Sequence, residues 1–119
     1  MKATYRAVLA GTGGIGDTHA RAVQATRGRV ELVAAMDVDA ARVGTFTAKW
    51  GIAGAFTDYR AMLAATRPDL VIIASPPALH LDMSVAAMEA GAWVWCEKPL
   101  CGSLADLDVL ESVLTRLRG

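Results

Sequence analysis

Four stretches of the 119-residue chain combine residue types that do chemistry. The first is Gly11-Thr12-Gly13-Gly14-Ile15-Gly16, a G-x-G-x-x-G run entered from the apolar Val8-Leu9-Ala10 and followed directly by helix-forming sequence. Each glycine of the pattern has a task. Gly11 permits a sharp turn out of a strand, Gly13 lets a diphosphate approach bare backbone, and Gly16 lets the next helix pack closely on the strand. A helix start aimed at such a group adds N–H donors and the positive end of the helix dipole. The second feature is one acid, Asp37, placed after another apolar stretch and 21 residues beyond Gly16. That offset suits a carboxylate accepting hydrogen bonds from the ribose of an adenosine. The third and fourth are the loops Ser75-Pro76-Pro77-Ala78-Leu79-His80 and Cys96-Glu97-Lys98-Pro99, each after an apolar run.

Charge narrows the ligand. The run from Gly11 to Gly16 also fits the front of a nucleoside-triphosphate loop, but Asp17 and Thr18 stand where Lys and then Ser or Thr are needed. An acid there opposes phosphate, which argues against ATP or GTP hydrolysis. Asp37 likewise disfavours a 2′-phosphate: two unit charges ~4 Å apart at an effective dielectric of ~20 repel by ~4 kcal/mol. NAD is therefore expected over NADP. Arg42, five residues on, could meet a 2′-phosphate if Asp37 turned away, but reads first as a solvent-facing helix residue.

The stiff loop of Ser75, Pro76 and Pro77 suits a wall for the nicotinamide ribose. His80 reads equally as part of that wall or as a partly buried helix histidine. A Glu97–Lys98 pair buried beside a nicotinamide is costly unless used, and Lys98 can donate to a substrate hydroxyl or carbonyl; the alternative is a surface ion pair. His19, Trp93, Trp95, Met62, Met83 and Met88 read as packing residues.

The elements that must position these groups follow from periodicity. Apolar runs at 5–10, 30–36, 55–56, 70–74 and 92–95 alternate with helical patterns at 14–27, 39–50, 58–65, 77–90 and 103–117. Such alternation predicts an α/β fold, a doubly wound parallel sheet of five strands in the order 3-2-1-4-5 with helices on both faces. Ligands of these Rossmann sheets lie at the carboxyl ends of the strands, near the switch in strand order. All four stretches are predicted at that edge.

Composition excludes several classes. Twelve basic and twelve acidic residues cancel, leaving no electrostatic case for nucleic acid. No apolar run reaches the ~18 residues of a membrane span, and the polar start before the first strand is too short for a signal peptide. Cys96 and Cys101 alone make too few ligands for a metal site and read as free thiols in a reducing cytoplasm.

Together these residues resemble the amino-terminal half of the glucose–fructose oxidoreductase, inositol dehydrogenase and rhizopine-catabolism family (Gfo/Idh/MocA). Three matches carry the resemblance: Gly11-x-Gly13-x-x-Gly16 with His19 three residues on, Ser75-Pro76-Pro77-x-x-His80, close to the family's T-P-x-x-x-H, and Glu97-Lys98-Pro99, its E-K-P. Pro77 departs from the Asn found in many members. The resemblance implies hydride transfer between NAD(P) and a sugar, polyol or related hydroxy compound, with Lys98 assisting at the reacting hydroxyl. It also implies that residues 1–119 form the dinucleotide domain and that the family's substrate domain is absent from this chain.

Two further readings stand beside that one. A non-catalytic NAD-binding sensor or interaction module fits the length but gives Lys98 little purpose. A binder of S-adenosylmethionine fits the spacing to Asp37 but not E-K-P. A sheet lacking the usual sixth strand is expected to self-associate or to be covered by a partner.

Overall fold

The computed structural model describes residues 4–96. Five strands, β1 (Tyr5–Ala10), β2 (Val30–Met36), β3 (Gly54–Phe56), β4 (Leu70–Ile73) and β5 (Trp93–Cys96), form one sheet in the order β3-β2-β1-β4-β5. Every neighbouring pair runs parallel. The expected doubly wound order is therefore the one adopted. Register brings the strand ends level: Phe56 lies beside Met36, Met36 beside Ala10, Ala10 beside Ile73, and Ile73 beside Cys96. The residues that follow β1 to β4 thus share one rim with the end of β5.

Side chains alternate across the sheet because successive Cβ atoms point to opposite faces. Val8, Ala10, Ala34, Met36, Val71 and Ile73 face α3 (Tyr59–Thr66) and α4 (His80–Glu89), where they meet Met62, Leu63, Met83 and Ala87. Leu9, Ala35 and Ile72 face α1 (Gly16–Gln24) and α2 (Ala40–Trp50), where they meet Ala20, Val23, Val43 and Phe46. Burial on both faces explains why these strands read as nearly continuous apolar runs.

Helix ends follow local chemistry. Asp39 caps α2 by accepting from the Arg42 N–H at 3.1 Å, and Gly51 closes it in the left-handed region at φ 67°. Asp58 caps α3 by accepting from the Arg60 N–H at 3.1 Å. Two helices are shorter than their sequence pattern. The stretch before Gly16 is a turn closed by its N–H on the Gly13 carbonyl at 2.8 Å, and the chain leaves α1 through Arg27 and Gly28 at φ 54° and 90°. Pro77–Leu79 forms a separate 3-10 turn ahead of α4. Trp93 is not a packing residue: it is 80% exposed on β5. Among the described residues β5 is an edge strand with no second neighbouring strand. Trp95 does pack, edge-on to the buried His19 at 5.6 Å between ring centres.

Among the described residues, no helix is long and apolar enough to cross a membrane, and no group of His, Cys, Asp or Glu could hold a metal. Glu97, Lys98, Pro99, Cys101 and the helix expected at 103–117 lie outside the described residues.

Candidate functional site

The site begins where β1 gives way to the glycine run. The Gly11 N–H donates to the Met36 carbonyl at 2.7 Å, extending the β1–β2 ladder by one residue, and the chain then turns at φ 98°. A Cβ at Gly11 would lie 2.7 Å from both the Ala74 carbonyl carbon and the Ser75 nitrogen. Gly11 is thus required by the crossing of two loops as well as by its left-handed backbone. Gly13 and Gly14 are the opposite case: a Cβ at either meets nothing within 4 Å. Their backbone is open to an approaching group. At Gly16 the end of the strand is near, with the Gly11 carbonyl oxygen 3.7 Å from where a Cβ would lie, but the closest neighbour is on a helix. A Cβ there would sit 3.1 Å from the Phe46 ring on α2. Small size lets α1 pack against α2 beneath the loop.

The start of α1 has no side-chain cap. Ile15 occupies the cap position and is 43% exposed; the Gly16 N–H already donates to the Gly13 carbonyl, and only the N–H groups just after it look to outside acceptors. Thr12, buried beneath the loop, faces Asp37.

Asp37 follows β2 and is 6% exposed. Its Oδ2 accepts from the Thr12 N–H and the Thr12 hydroxyl, both at 3.0 Å, and its Oδ1 accepts from the Asp39 N–H at 3.0 Å. The Arg42 guanidinium lies 3.7 Å from Oδ2. Burial pushes the Asp37 carboxyl upward, but the hydrogen bonds from Asp39 and Thr12, helped by the Arg42 charge, together hold it below the ordinary carboxylate value. Asp37 is therefore a fixed anion. Arg42 remains largely in solvent, as expected, while its guanidinium reaches back toward the acid.

Ser75 and Pro76 cross the rim beside Gly11, with Pro77 starting the 3-10 turn. The Ser75 hydroxyl is turned inward, toward the Met83 sulfur at 3.2 Å. His80, the first residue of α4, is 1% exposed, and its Nε2 meets the Ser75 carbonyl. Of its two readings, the structure adopts the buried helix histidine; the ring ties the loop to its helix. Pro76 is left facing solvent.

Asp17, the acid that argued against a triphosphate loop, is occupied structurally. It accepts from the Trp50 indole N–H at 2.7 Å and from the Lys49 ammonium at 3.0 Å, joining the start of α1 to the end of α2. The Trp50 and Lys49 hydrogen bonds hold its carboxyl below the ordinary value.

Three groups of the expected site thus share one rim: the glycine loop, Asp37, and the Ser75–Pro77 loop. Glu97 and Lys98 come directly after β5, which ends at Cys96 on the same rim, but lie outside the described residues. The pairing of Thr12 with Asp37 was not legible in sequence. Their separation of 25 residues carries no periodic signal, and only the parallel register of β1 and β2 brings them together. A hollow of about 400 Å³ flanks the pair, lined by Thr12, Asp17, Asp39, Arg42, Phe46 and Lys49. A hollow of about 440 Å³ at the opposite end of the sheet, by Val23, Gly28 and Ile52, holds none of the motif residues.

Open backbone at Gly13 and Gly14, an uncapped helix start and one fixed anion fit a ligand that carries a diphosphate and a sugar diol. Comparison with known proteins agrees. A family described as "Oxidoreductase family, NAD-binding Rossmann fold" matches residues 5–117. The D-glucoside 3-dehydrogenase of Escherichia coli K12 is 36% identical over 94 residues, covering 79% of this chain and 27% of that protein. The inositol 2-dehydrogenase of Salmonella typhimurium LT2 is 36% identical over 104 residues, covering 87% of this chain and 31% of that protein. The scyllo-inositol dehydrogenase of Lactobacillus casei, solved with NAD(H) and scyllo-inositol, superposes with a TM-score of 0.88 at 26% identity, over 97% of this chain and 34% of that one. The chain spans about a third of the length of these relatives.

Proposed function

The chain belongs to the Gfo/Idh/MocA oxidoreductase family, and from that premise we propose that residues 1–119 serve as the NAD domain of a dehydrogenase acting on a sugar, polyol or related hydroxy compound. When bound, the nicotinamide would accept or donate the hydride. Every other task falls to the protein. Gly11 to Gly16 would seat the diphosphate on bare backbone, and Asp37 would accept from the adenosine ribose. Ser75, Pro76 and Pro77 would wall the nicotinamide ribose, with His80 holding that loop. Lys98, next to Glu97 after β5, would donate to the substrate hydroxyl and help move its proton. The substrate pocket would be completed by a second domain or a partner, so this chain alone should bind NAD and turn over little. The exposed edge at Trp93 supports self-association or cover by such a partner; light scattering that reports a monomer at high concentration counts against the first. We place the reaction in the cytoplasm, where both the cofactor and reduced thiols are found.

The observation that carries this reading is the juxtaposition of the open Gly13–Gly14 backbone with the buried, hydrogen-bonded Asp37. Calorimetric titration with NAD, NADP and S-adenosylmethionine tests it. NAD is expected to bind best. NADP binding as tightly as NAD overturns the role of Asp37, and absence of NAD binding overturns the proposal.

A further inference from the structure

We propose that Thr12 is a positioning residue that sets NAD affinity and NAD-over-NADP selectivity by holding Asp37 in one orientation. The inference rests on the reading of Asp37 as the ribose acceptor. Each carboxylate oxygen offers about two acceptor positions. On Oδ2 both are filled from one residue, by the Thr12 N–H and the Thr12 hydroxyl, each at 3.0 Å. On Oδ1 one is filled by the Asp39 N–H at 3.0 Å. That leaves a single open position, on Oδ1, for a ribose hydroxyl. The Arg42 guanidinium, 3.7 Å from Oδ2, is near enough to attract the carboxylate but beyond hydrogen-bond length.

The terminal torsion of an Asp side chain is broad, so the backbone alone does not fix where its oxygens point. Two donors from one residue do. The Thr12 N–H survives any substitution but proline; the hydroxyl survives only in serine. Without it, Oδ2 has a vacant position and the Arg42 guanidinium is the nearest charged donor to claim it. The carboxylate would then turn toward solvent, and the open position on Oδ1 would leave the rim. Both Thr12 and Asp37 are buried, so water does not readily substitute for the lost donor. The same hydroxyl joins the loop that would seat the diphosphate to the acid that would hold the sugar. The two halves of the site are one unit.

Thr12→Val preserves shape and removes only the donor. Affinities for NAD and NADP are measured by calorimetry on Thr12→Val, Thr12→Ser and the unaltered chain, with folding checked by circular dichroism. NAD should bind about tenfold more weakly to Thr12→Val, the size of one hydrogen bond to a charged group, while NADP, whose 2′-phosphate the oriented Asp37 carboxylate repels, should not weaken and should gain affinity. Thr12→Ser should restore NAD binding to within twofold. In an Asp37→Ala background, Thr12→Val should cost less than twofold for NAD. Equal losses for both nucleotides would mean that Thr12 merely supports the loop, and would overturn the proposal. So would an unchanged NAD affinity, or a full tenfold loss that persists without Asp37. Should Thr12→Val not fold, Thr12→Ala compared with Thr12→Ser reads the same outcomes. Failure of the unaltered chain to bind either nucleotide removes the NAD reading itself, and this proposal with it.

Discussion

Glycines of one motif do different work, and substitution should separate them. At Gly11 a methyl group would meet backbone atoms at 2.7 Å in a residue already at φ 98°. Backbone does not yield as a flexible side chain can, so Gly11→Ala should lower stability by at least about 2 kcal/mol in urea unfolding. At Gly13 the same methyl group meets nothing within 4 Å. Gly13→Ala should leave the urea midpoint nearly unchanged while weakening NAD binding at least ~tenfold, because the methyl group would stand where bare backbone is needed. If both variants lose stability alike, the division is wrong. Asp37 makes a prediction in pH. Its carboxyl is held below 3.8 in the folded chain, so the unfolded chain takes up the proton first as pH falls. The stability that Asp37 contributes is full above the unfolded value and is lost as pH drops through the lower folded value. Urea midpoints followed from pH 5 to pH 2 should fall less steeply for Asp37→Asn than for the unaltered chain. An identical slope would show that Asp37 titrates alike in both states.

At the scale of elements, the strands and caps carry the local instructions. The central strands place an alternate set of apolar side chains on each face, and helices cover both. Asp39 sits at the hinge between strand and helix: its backbone N–H serves Asp37 while its side chain caps α2. Asp39→Ala removes only the second of these and should cost about 1 kcal/mol, with NAD affinity nearly unchanged because the N–H remains. Hydrogen exchange in the first turn of α2 would locate the loss; a large fall in NAD affinity would show that the cap and the rim are not separable. These caps were legible in the sequence, as Asp39 and Asp58 stand just ahead of helical patterns and Gly51 just after one. The 3-10 turn at Pro77–Leu79 and the short α1 were not, because tight turns built from helix-compatible residues leave the apolar period intact.

For the whole molecule, the rim is assembled from ends of strands that are distant in sequence but level in register. A dinucleotide laid across it would bind the folded chain and not the unfolded one. At a NAD concentration one hundred times its dissociation constant, linkage adds about 2.7 kcal/mol, on the order of ten degrees in Tm for a domain of this size. Thermal unfolding monitored with and without NAD should show that rise, with S-adenosylmethionine giving none; equal shifts would point to non-selective adenine binding.

The sequence by itself determined the strand order, the helix caps, the glycine loop and the position of Asp37, because each is written in periodicity or in residues adjacent along the chain. It did not determine what those residues touch. That Gly11 answers to Ala74 and Ser75, that Gly16 answers to Phe46, that His80 turns inward to its own loop, and that Thr12 grips Asp37 were decided only by the tertiary structure. The physical reason is range. Backbone propensity and hydrophobic alternation act over a few residues, whereas contacts between loops depend on the register of parallel strands joined through long crossovers, which no local pattern encodes.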